Sequence, residues 1–209
     1  MGGPGNCRKE SELRKRQYEI TDRDEIIEIL DSTNIGRIAT IDSDGYPYIT
    51  PLNFVFMDEN IYFHCARQGE RLDNISADPR VCFEVDMPLS YLDMDFDDSA
   101  PACGVTQYYR SVIIRGNASV VTDQRLKLDA LNALMAKHEK VQDFNQIDPE
   151  SAGFKACHVV EIRPVSVTAK ENLAQTKPEE HKQRIAKYLR NRDTSVDDQT
   201  ADLIETERP

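Results

Sequence analysis

Long apolar runs and paired cysteines are both missing from this 209-residue sequence. No stretch of about 18 consecutive apolar residues occurs, which argues against an ordinary membrane-spanning helix. The five cysteines are odd in number and show no CxxC spacing, so neither a disulfide framework nor a zinc site is expected. Cys65 and Cys82 lie in apolar runs, where cysteine behaves as a small hydrophobic residue. We therefore expect a reduced, soluble, cytoplasmic protein without a metal site.

Basic residues are scarce relative to acidic ones. The chain has 26 lysines and arginines against 37 aspartates and glutamates, a formal net charge of −11. This balance disfavours nucleic-acid binding and attraction to acidic membranes. An anionic ligand would therefore need a local basic pocket that works against the overall field.

Composition divides the chain into three parts. Residues 1–16 are rich in glycine and then in charge, and we predict a flexible segment. Residues 17–175 carry the apolar runs and suit a single domain. Residues 176–209 are polar, with one amphipathic helical segment at 179–189 followed by an acidic tail.

The central part alternates strands and short turns. Strands joined in this way favour an antiparallel sheet that closes into a barrel with helices outside, a mainly β (α+β) fold. The predicted helices are one that Thr21 caps and that ends near Asn34, one at 70–77, and one at 124–139 capped by Asp123. The predicted strands are 35–41, 46–57, 61–65, 81–85, 108–121 and 158–168, the last broken at Pro164, with an acidic loop at 86–104.

One predicted strand has features of a ligand-binding edge. Pro47 and Pro51 cannot donate to a sheet ladder, which favours an edge strand or a bulge. Backbone groups near such prolines stay free for a ligand. Asn53 interrupts the apolar pattern and needs a polar partner, either a cross-strand hydrogen bond or a ligand.

The next strand leads into a candidate anion site. His64 ends this strand, and Arg67, Gly69 and Arg71 surround the start of the predicted helix at 70–77. Unpaired N–H groups and the helix dipole both favour negative charge at a helix N-terminus. The pattern predicts a flat ligand along the edge strand with its phosphate near the helix start. Both arginines also have a simpler interpretation as solvated surface residues.

The remaining histidines and cysteines give no further site. His138, His158 and His181 lack metal-ligand spacing, and we interpret them as structural or exposed. A dyad of His64 with Cys65 is not expected, because successive strand side chains point to opposite faces.

Five short motifs occur in the order seen in flavin-binding split barrels. The sequence resembles the pyridoxamine 5′-phosphate oxidase-like superfamily over about residues 17–175, and within it the 5-nitroimidazole resistance (Nim) branch. The C-terminal substrate-binding arginine pattern of true pyridoxamine phosphate oxidases is missing, so pyridoxine metabolism is not expected. The motifs are Gly36-Arg37-Ile38-Ala39-Thr40, Asp44-Gly45-Tyr46-Pro47-Tyr48, Thr50-Pro51-Leu52-Asn53-Phe54, Phe63-His64-x-Ala66-x-x-Gly69-x-Arg71, and Gln107-Tyr108-Tyr109-Arg110-Ser111-Val112 leading to Gly116.

The resemblance implies an antiparallel split β-barrel (Greek key) with peripheral helices. It also implies a homodimer that binds FMN at the subunit interface. His64 would be the catalytic candidate near the substrate. Of the two adjacent tyrosines, Tyr109 is assigned because it shares a strand face with Ser111. The implied cofactor-binding residues are Pro51, Leu52, Asn53, His64, Ala66, Arg67, Arg71, Tyr109 and Ser111.

The resemblance further implies an oxidoreductase that reduces small electrophiles, such as nitroimidazole-type compounds, with NAD(P)H as a candidate donor. Two alternatives stay open. One is a non-enzymatic flavin- or haem-binding module that stores or senses its cofactor. The other is a relative that uses deazaflavin F420, whose acidic tail would require a wider basic surface.

Overall fold

The computed structural model describes residues 15–97, 104–141 and 146–206. Most of the predicted flexible segment 1–16 lies outside these residues, as do residues 98–103 of the predicted acidic loop. The helices are α1 (Arg23–Ser32), α2 (Glu70–Ala77), α3 (Gln124–His138), α4 (Ala152–Ala156), α5 (Glu179–Arg190) and α6 (Ser195–Glu205), with 3-10 turns at Arg16–Tyr18 and Met94–Phe96. The strands are β1 (Glu19–Ile20), β2 (Ile35–Ile41), β3 (Pro47–Asn53), β4 (Val55–Met57), β5 (Asn60–Ala66), β6 (Arg80–Leu92), β7 (Thr106–Val120) and β8 (Cys157–Asn172).

The strands form one eight-stranded sheet, which confirms the predicted antiparallel split barrel. The order is β3-β2-β6-β7-β8-β5-β4, with β1 pairing β8. The pairs β2–β3, β2–β6, β4–β5, β5–β8 and β1–β8 are antiparallel. Because β3 ends the order, the edge position predicted from Pro47 and Pro51 is confirmed.

Local chemistry explains where several elements begin and turn. Asp123 caps α3 by accepting from the backbone N–H groups of Arg125 and Leu126, as predicted. For α1 the predicted cap was wrong by one residue, because Asp22 rather than Thr21 accepts from the first turn. The β4–β5 hairpin turns through Asp58 and Glu59, both at positive φ, as a tight two-residue turn requires.

Four element boundaries differ from the sequence-based prediction. Strand β6 continues to Leu92, so the first part of the predicted acidic loop is strand. Strand β8 runs unbroken through Pro164. The predicted strand 46–57 is interrupted at Phe54, which separates β3 from β4. The predicted acidic tail contains a complete helix, α6.

Backbone contacts divide the chain into two units, and β6, β7 and β8 each supply residues to both. The main unit comprises residues 22–85 and 112–167. One of its apolar clusters packs α3 and α4 against β4, β5 and the start of β8. Its buried members are Val55, Tyr62, Val121, Ala130, Leu131, Leu134, Phe154 and Val159.

The second unit comprises the described residues before 22, those of 86–111, and those from 168 onward. Its core joins the ends of β6, β7 and β8 to the two C-terminal helices, and α5 and α6 bury Ile185, Leu189 and Ile204 there. The division of the sequence into residues 1–16, 17–175 and 176–209 stays a prediction.

Two motif glycines of the main unit are required by packing. A Cβ on Gly36 would lie 2.1 Å from the Phe83 ring, whose centroid is 5.0 Å from that of Phe54. A Cβ on Gly116 would lie 2.4 Å from the backbone oxygen of Arg163. Neither glycine has a positive φ, so close approach rather than backbone freedom explains both.

Candidate functional site

Arg71 lies in the first turn of α2, which follows Gly69 at a φ of +138°. Its Nη1 donates to Thr50 Oγ1 at 3.0 Å, and its guanidinium lies 5.0 Å from the centroid of the Phe63 ring. Its Nε is buried and has no hydrogen-bond partner among the described residues. A buried donor without a partner is rare in proteins and requires an explanation.

Among the described residues, no carboxylate forms an ion pair with Arg71. Burial raises the pKa of the nearby Cys65 thiol, while the charge of Arg71 and a hydrogen bond from its side chain oppose this shift. A half-buried guanidinium with an unused N–H beside a hydroxyl provides an anion-binding position. The residues present therefore fit a phosphate group.

Asn53 and His138 form a hydrogen-bonded pair at the end of β3. The Nδ2 of Asn53 lies 3.0 Å from His138 Nδ1, and His138 Nε2 lies 3.0 Å from the backbone oxygen of Phe54. A carbonyl can only accept, so Nε2 carries the proton and Nδ1 accepts from the amide. The pair leaves one N–H and the Oδ1 of Asn53 without a partner in the described chain.

A cavity of about 520 Å³ opens beside this pair, between β5 and α3, and we call it the α3 cavity. Its volume lies within the usual range for small-molecule sites. Register places His64 opposite Val159 and Ala66 opposite Cys157, so His64 and Cys157 share one face of the β5–β8 pair. The lining residues are Asn53, His64, Leu131, Leu134, Met135, His138, Glu139, Ile147, Asp148, Ser151, Gly153, Phe154 and Cys157.

The predicted residues of β3 occupy its exposed edge. Pro51 and Asn53 are exposed and Leu52 is buried. Pro51 pairs with Arg37 and Asn53 with Ile35 on β2. Pro51 and Asn53 therefore share one exposed face of this edge strand, and Leu52 lies on the opposite, buried face.

Arg67 occupies a different environment from Arg71. It is exposed, and no described residue pairs with it. With Ala66, Gln68 and His158 it lines a second cavity of about 500 Å³. The structure thus places Arg67 beside His158, to which the sequence analysis assigned no site role. The contacts of Arg71 are different residues.

Tyr109 and Ser111 belong to the second unit. Both are half-buried on β7. Tyr108, which precedes Tyr109 on the same strand, is buried in the apolar cluster of that unit. This alternation agrees with the assignment of Tyr109 and Ser111 to one strand face. Their cofactor-binding role stays a prediction.

Sequence reasoning missed His138 and the segment around α4. His138 follows Leu131 by seven residues and Leu134 by four, so it continues the apolar stripe of α3 onto the same face. That spacing was available in the sequence. Phe154 and Cys157 show no comparable periodic pattern in the sequence, because Phe154 lies in a five-residue helix and Cys157 is the first residue of a strand.

No group of three or more histidine, cysteine, aspartate or glutamate side chains among the described residues could hold a metal ion. None of the helices described here combines the length and hydropathy that a bilayer crossing requires.

Comparison with known proteins places this architecture in a family. Residues 22–171 match the profile of the family described as pyridoxamine 5′-phosphate oxidase. The chain therefore belongs to that family, which agrees with the resemblance that the motifs indicated. A comparison with curated protein sequences gives no match.

Solved structures share the fold at low sequence identity. A proposed 5-nitroimidazole antibiotic resistance protein from Bacteroides thetaiotaomicron is 20% identical with a TM-score of 0.62, covering 73% of this chain and 86% of that one. The flavocytochrome Anf3 from Azotobacter vinelandii is 18% identical with a TM-score of 0.65, covering 77% and 72%. The FAD- and haem-binding protein from Mycobacterium smegmatis is 15% identical with a TM-score of 0.62, covering 74% and 73%.

Proposed function

We propose that the chain is an FMN-dependent oxidoreductase that reduces small electrophiles of the nitroimidazole type. The observation that carries this proposal is the buried, unpartnered Nε of Arg71 beside the Thr50 hydroxyl. A phosphate group would accept from this N–H and neutralise a guanidinium that pairs with no carboxylate of the described residues. The names of the similar structures, a flavocytochrome and an FAD- and haem-binding protein, agree with a flavin as the phosphate-bearing ligand.

The exposed edge of β3 supports the position of the flavin ring. Its backbone groups pair with β2 on one side only, since β3 ends the strand order. Residues 51–53 would hold a planar ring through these groups and through the remaining amide atoms of Asn53. Ala66, Arg67, Tyr109 and Ser111 complete the proposed set of cofactor contacts.

When bound, the flavin would supply the two-electron chemistry that oxidises a reduced nicotinamide and reduces the electrophile. The role of the protein is to position the acceptor and exclude side reactions. His64 is exposed at the α3 cavity and has no partner among the described residues. Its imidazole can therefore donate a hydrogen bond or a proton to an acceptor held there.

An apolar face on β2 and β3 supports the proposed homodimer. Ile35, Ile41 and Ile49 are 42%, 40% and 60% exposed, and register places them on the face that carries Pro51 and Asn53. Exposed apolar patches of this kind often mark association sites. A second copy on this face would cover the proposed ring position. Light scattering of the wild type and of Ile49→Lys tests this, with a dimer expected only for the wild type.

Identification of the cofactor tests the proposed function. The protein is purified without added cofactor, its visible spectrum is recorded, and any released small molecule is identified by mass spectrometry. The proposal predicts FMN that is bleached by NADH or NADPH and reoxidised by 2-methyl-5-nitroimidazole. A bound flavin that is neither reduced by NADH or NADPH nor reoxidised by the nitroimidazole supports the storage or sensing alternative. A haem or deazaflavin spectrum, or no uptake of added FMN, contradicts the proposal.

A further inference from the structure

A further cavity of about 420 Å³ lies where the start of α3 meets α4 and the start of β8, and we call it the Lys127 groove. None of the described residues that line it is an aspartate or a glutamate. In a chain with a net charge of −11, the groove is therefore a local basic pocket of the kind that an anionic ligand requires. Its basic lining residues are Arg67, Lys127, Lys155 and His158.

The ammonium of Lys127 is buried in the wall of this groove. The residue is 7% exposed, and its Nζ donates to the backbone oxygens of Phe154 at 2.6 Å and of Cys157 at 2.8 Å. No carboxylate of the described residues forms an ion pair with it. An ammonium has three N–H donors, so one stays available. Because a buried charge without a counterion is costly, an anion bound in the groove would stabilise it.

Lys155 and His158 supply further donors to the same groove. Lys155 pairs with Glu150 at 2.7 Å, but both side chains are exposed, and such a surface pair contributes little that a ligand could not replace. His158 is half-buried and has no partner among the described residues. Arg67 remains assigned to the flavin, and it adds positive charge nearby without being required as a ligand.

This set of donors suits a phosphate monoester. Such a group carries a charge of about −1.5 to −2 at pH 7 and three acceptor oxygens. The groove also adjoins the α3 cavity, because Phe154 and Cys157 line both. A phosphate bound here would therefore lie beside the proposed site, at residues other than the Arg71 contacts.

We propose that the Lys127 groove binds the 2′-phosphate of NADPH, so that the protein selects NADPH over NADH as its electron donor. These two donors differ by that phosphate alone. The donor role rests on the proposed function. The affinity for the phosphate does not, because it depends on the groove.

Calorimetric titration of the full-length chain with 2′,5′-ADP and 5′-AMP tests the site, because these nucleotides differ by the 2′-phosphate alone. Inorganic phosphate is the third probe, and it distinguishes a free phosphate ion from a phosphate that a nucleotide carries. Lys155→Gln removes a charge at an exposed position and should fold. Arg125→Gln is the matched control, because Arg125 is an exposed, ion-paired residue of α3 that does not line the groove.

The wild type and Arg125→Gln should bind 2′,5′-ADP at least about tenfold more tightly than 5′-AMP, and Lys155→Gln should lose most of this preference. Lys127→Met should lose it as well, and circular dichroism establishes whether this variant folds. If it does not fold, Lys155→Gln alone decides. Equal affinity of the wild type for the two nucleotides overturns the proposal, as does inorganic phosphate that binds as tightly as 2′,5′-ADP.

Reduction of the FMN-loaded protein separates this proposal from the proposed function. The kcat/KM for bleaching by NADPH should exceed that for NADH roughly tenfold, and Lys155→Gln should remove the difference. Equal values for the two donors overturn the selection of NADPH and leave the proposed function intact. A preference for 2′,5′-ADP in protein that neither donor reduces contradicts the proposed function and leaves the phosphate site standing.

Discussion

Asn53 and His138 are 85 residues apart in the sequence and joined by a 3.0 Å hydrogen bond. Through the second ring nitrogen of His138, the same imidazole holds the backbone oxygen of Phe54. The pair ties the end of the edge strand β3 to the last residue of α3. The strand that we propose to contact the flavin and the helix that lines the α3 cavity are therefore linked by this pair of hydrogen bonds.

His138→Ala should destabilise the protein because it leaves a part-buried carbonyl and the Asn53 amide without partners. The expected loss is about 1–3 kcal/mol, measured by urea unfolding. His64→Ala is the matched control, because His64 is exposed and has no partner in the described chain, and it should change stability by less than about 0.5 kcal/mol. Equal losses for the two variants would contradict the account of the pair.

Lys137 should make stability depend on pH. Its Nζ donates to the backbone oxygen of Leu30 at 2.8 Å, and burial lowers its pKa from 10.5 to about 8, with Asp31 opposing the shift. Between about pH 8 and pH 10.5 the unfolded chain binds more protons at this position than the folded chain. The free energy of unfolding therefore rises with pH across this window.

The comparison of wild type with Lys137→Met isolates this effect, since other titrating groups cancel in the difference. The wild type should gain stability relative to the variant as pH rises from 8 to 10. Lys140→Met, at an exposed lysine close in sequence, is measured alongside as the control for loss of a surface charge. A constant difference between wild type and Lys137→Met would contradict the lowered pKa of Lys137.

Gly36→Ala should cost about 1–3 kcal/mol, because the new methyl group would overlap the Phe83 ring in a packed core. Gly153→Ala serves as the comparison, since its methyl group meets no atom within 4 Å. Thermal or urea unfolding should show a loss for the first variant only. A neutral Gly36→Ala would mean that the aromatic pair relaxes more easily than its packing suggests.

Asp197 should stabilise the second unit. Burial opposes its charge, but hydrogen bonds from Ser90 and Thr194 and the nearby Arg192 lower its pKa below the usual value. Its contribution is present above about pH 4 and is lost as pH falls through the lowered folded-state pKa.

Asp197→Ala leaves buried donors unpaired and should cost roughly 2–4 kcal/mol at pH 7. Asp198→Ala removes an exposed carboxylate of the same helix turn and should be close to neutral. The difference in the free energy of unfolding between Asp197→Ala and Asp198→Ala should become smaller when the assay is carried out at pH 3. A gap that persists there would argue for a packing role instead of a charged one.

Much of the fold was predictable because its determinants are local. The Asp123 cap, the prolines of β3 and the bounds of α2 follow from short-range chemistry, and the structure confirms each. Two of the failures, at the end of β6 and at α6, share one cause, since polar composition was taken as evidence against regular structure. Helix α6 is acidic overall, yet Ala201 and Ile204 provide the apolar contacts that order it.

The site was predictable only in part. Arg71 and His64 were named as candidates because a motif contains Arg71 and a strand ends at His64, and their roles stay predictions. The link between Asn53 and His138 depends on tertiary packing of elements far apart in the sequence, which no local pattern encodes. The α3 cavity arises in the same way, from four separate segments.

The central claim is that Arg71 holds the phosphate of FMN, and a titration with two flavins tests it most directly. FMN and riboflavin differ by the phosphate group alone, and quenching of flavin fluorescence reports binding of each to the wild type, to Arg71→Gln and to the exposed control Arg125→Gln. We expect the wild type and Arg125→Gln to prefer FMN, and Arg71→Gln to lose roughly 10- to 100-fold in FMN affinity while riboflavin binding is unchanged. Equal affinity of Arg71→Gln and wild type for FMN would contradict the account.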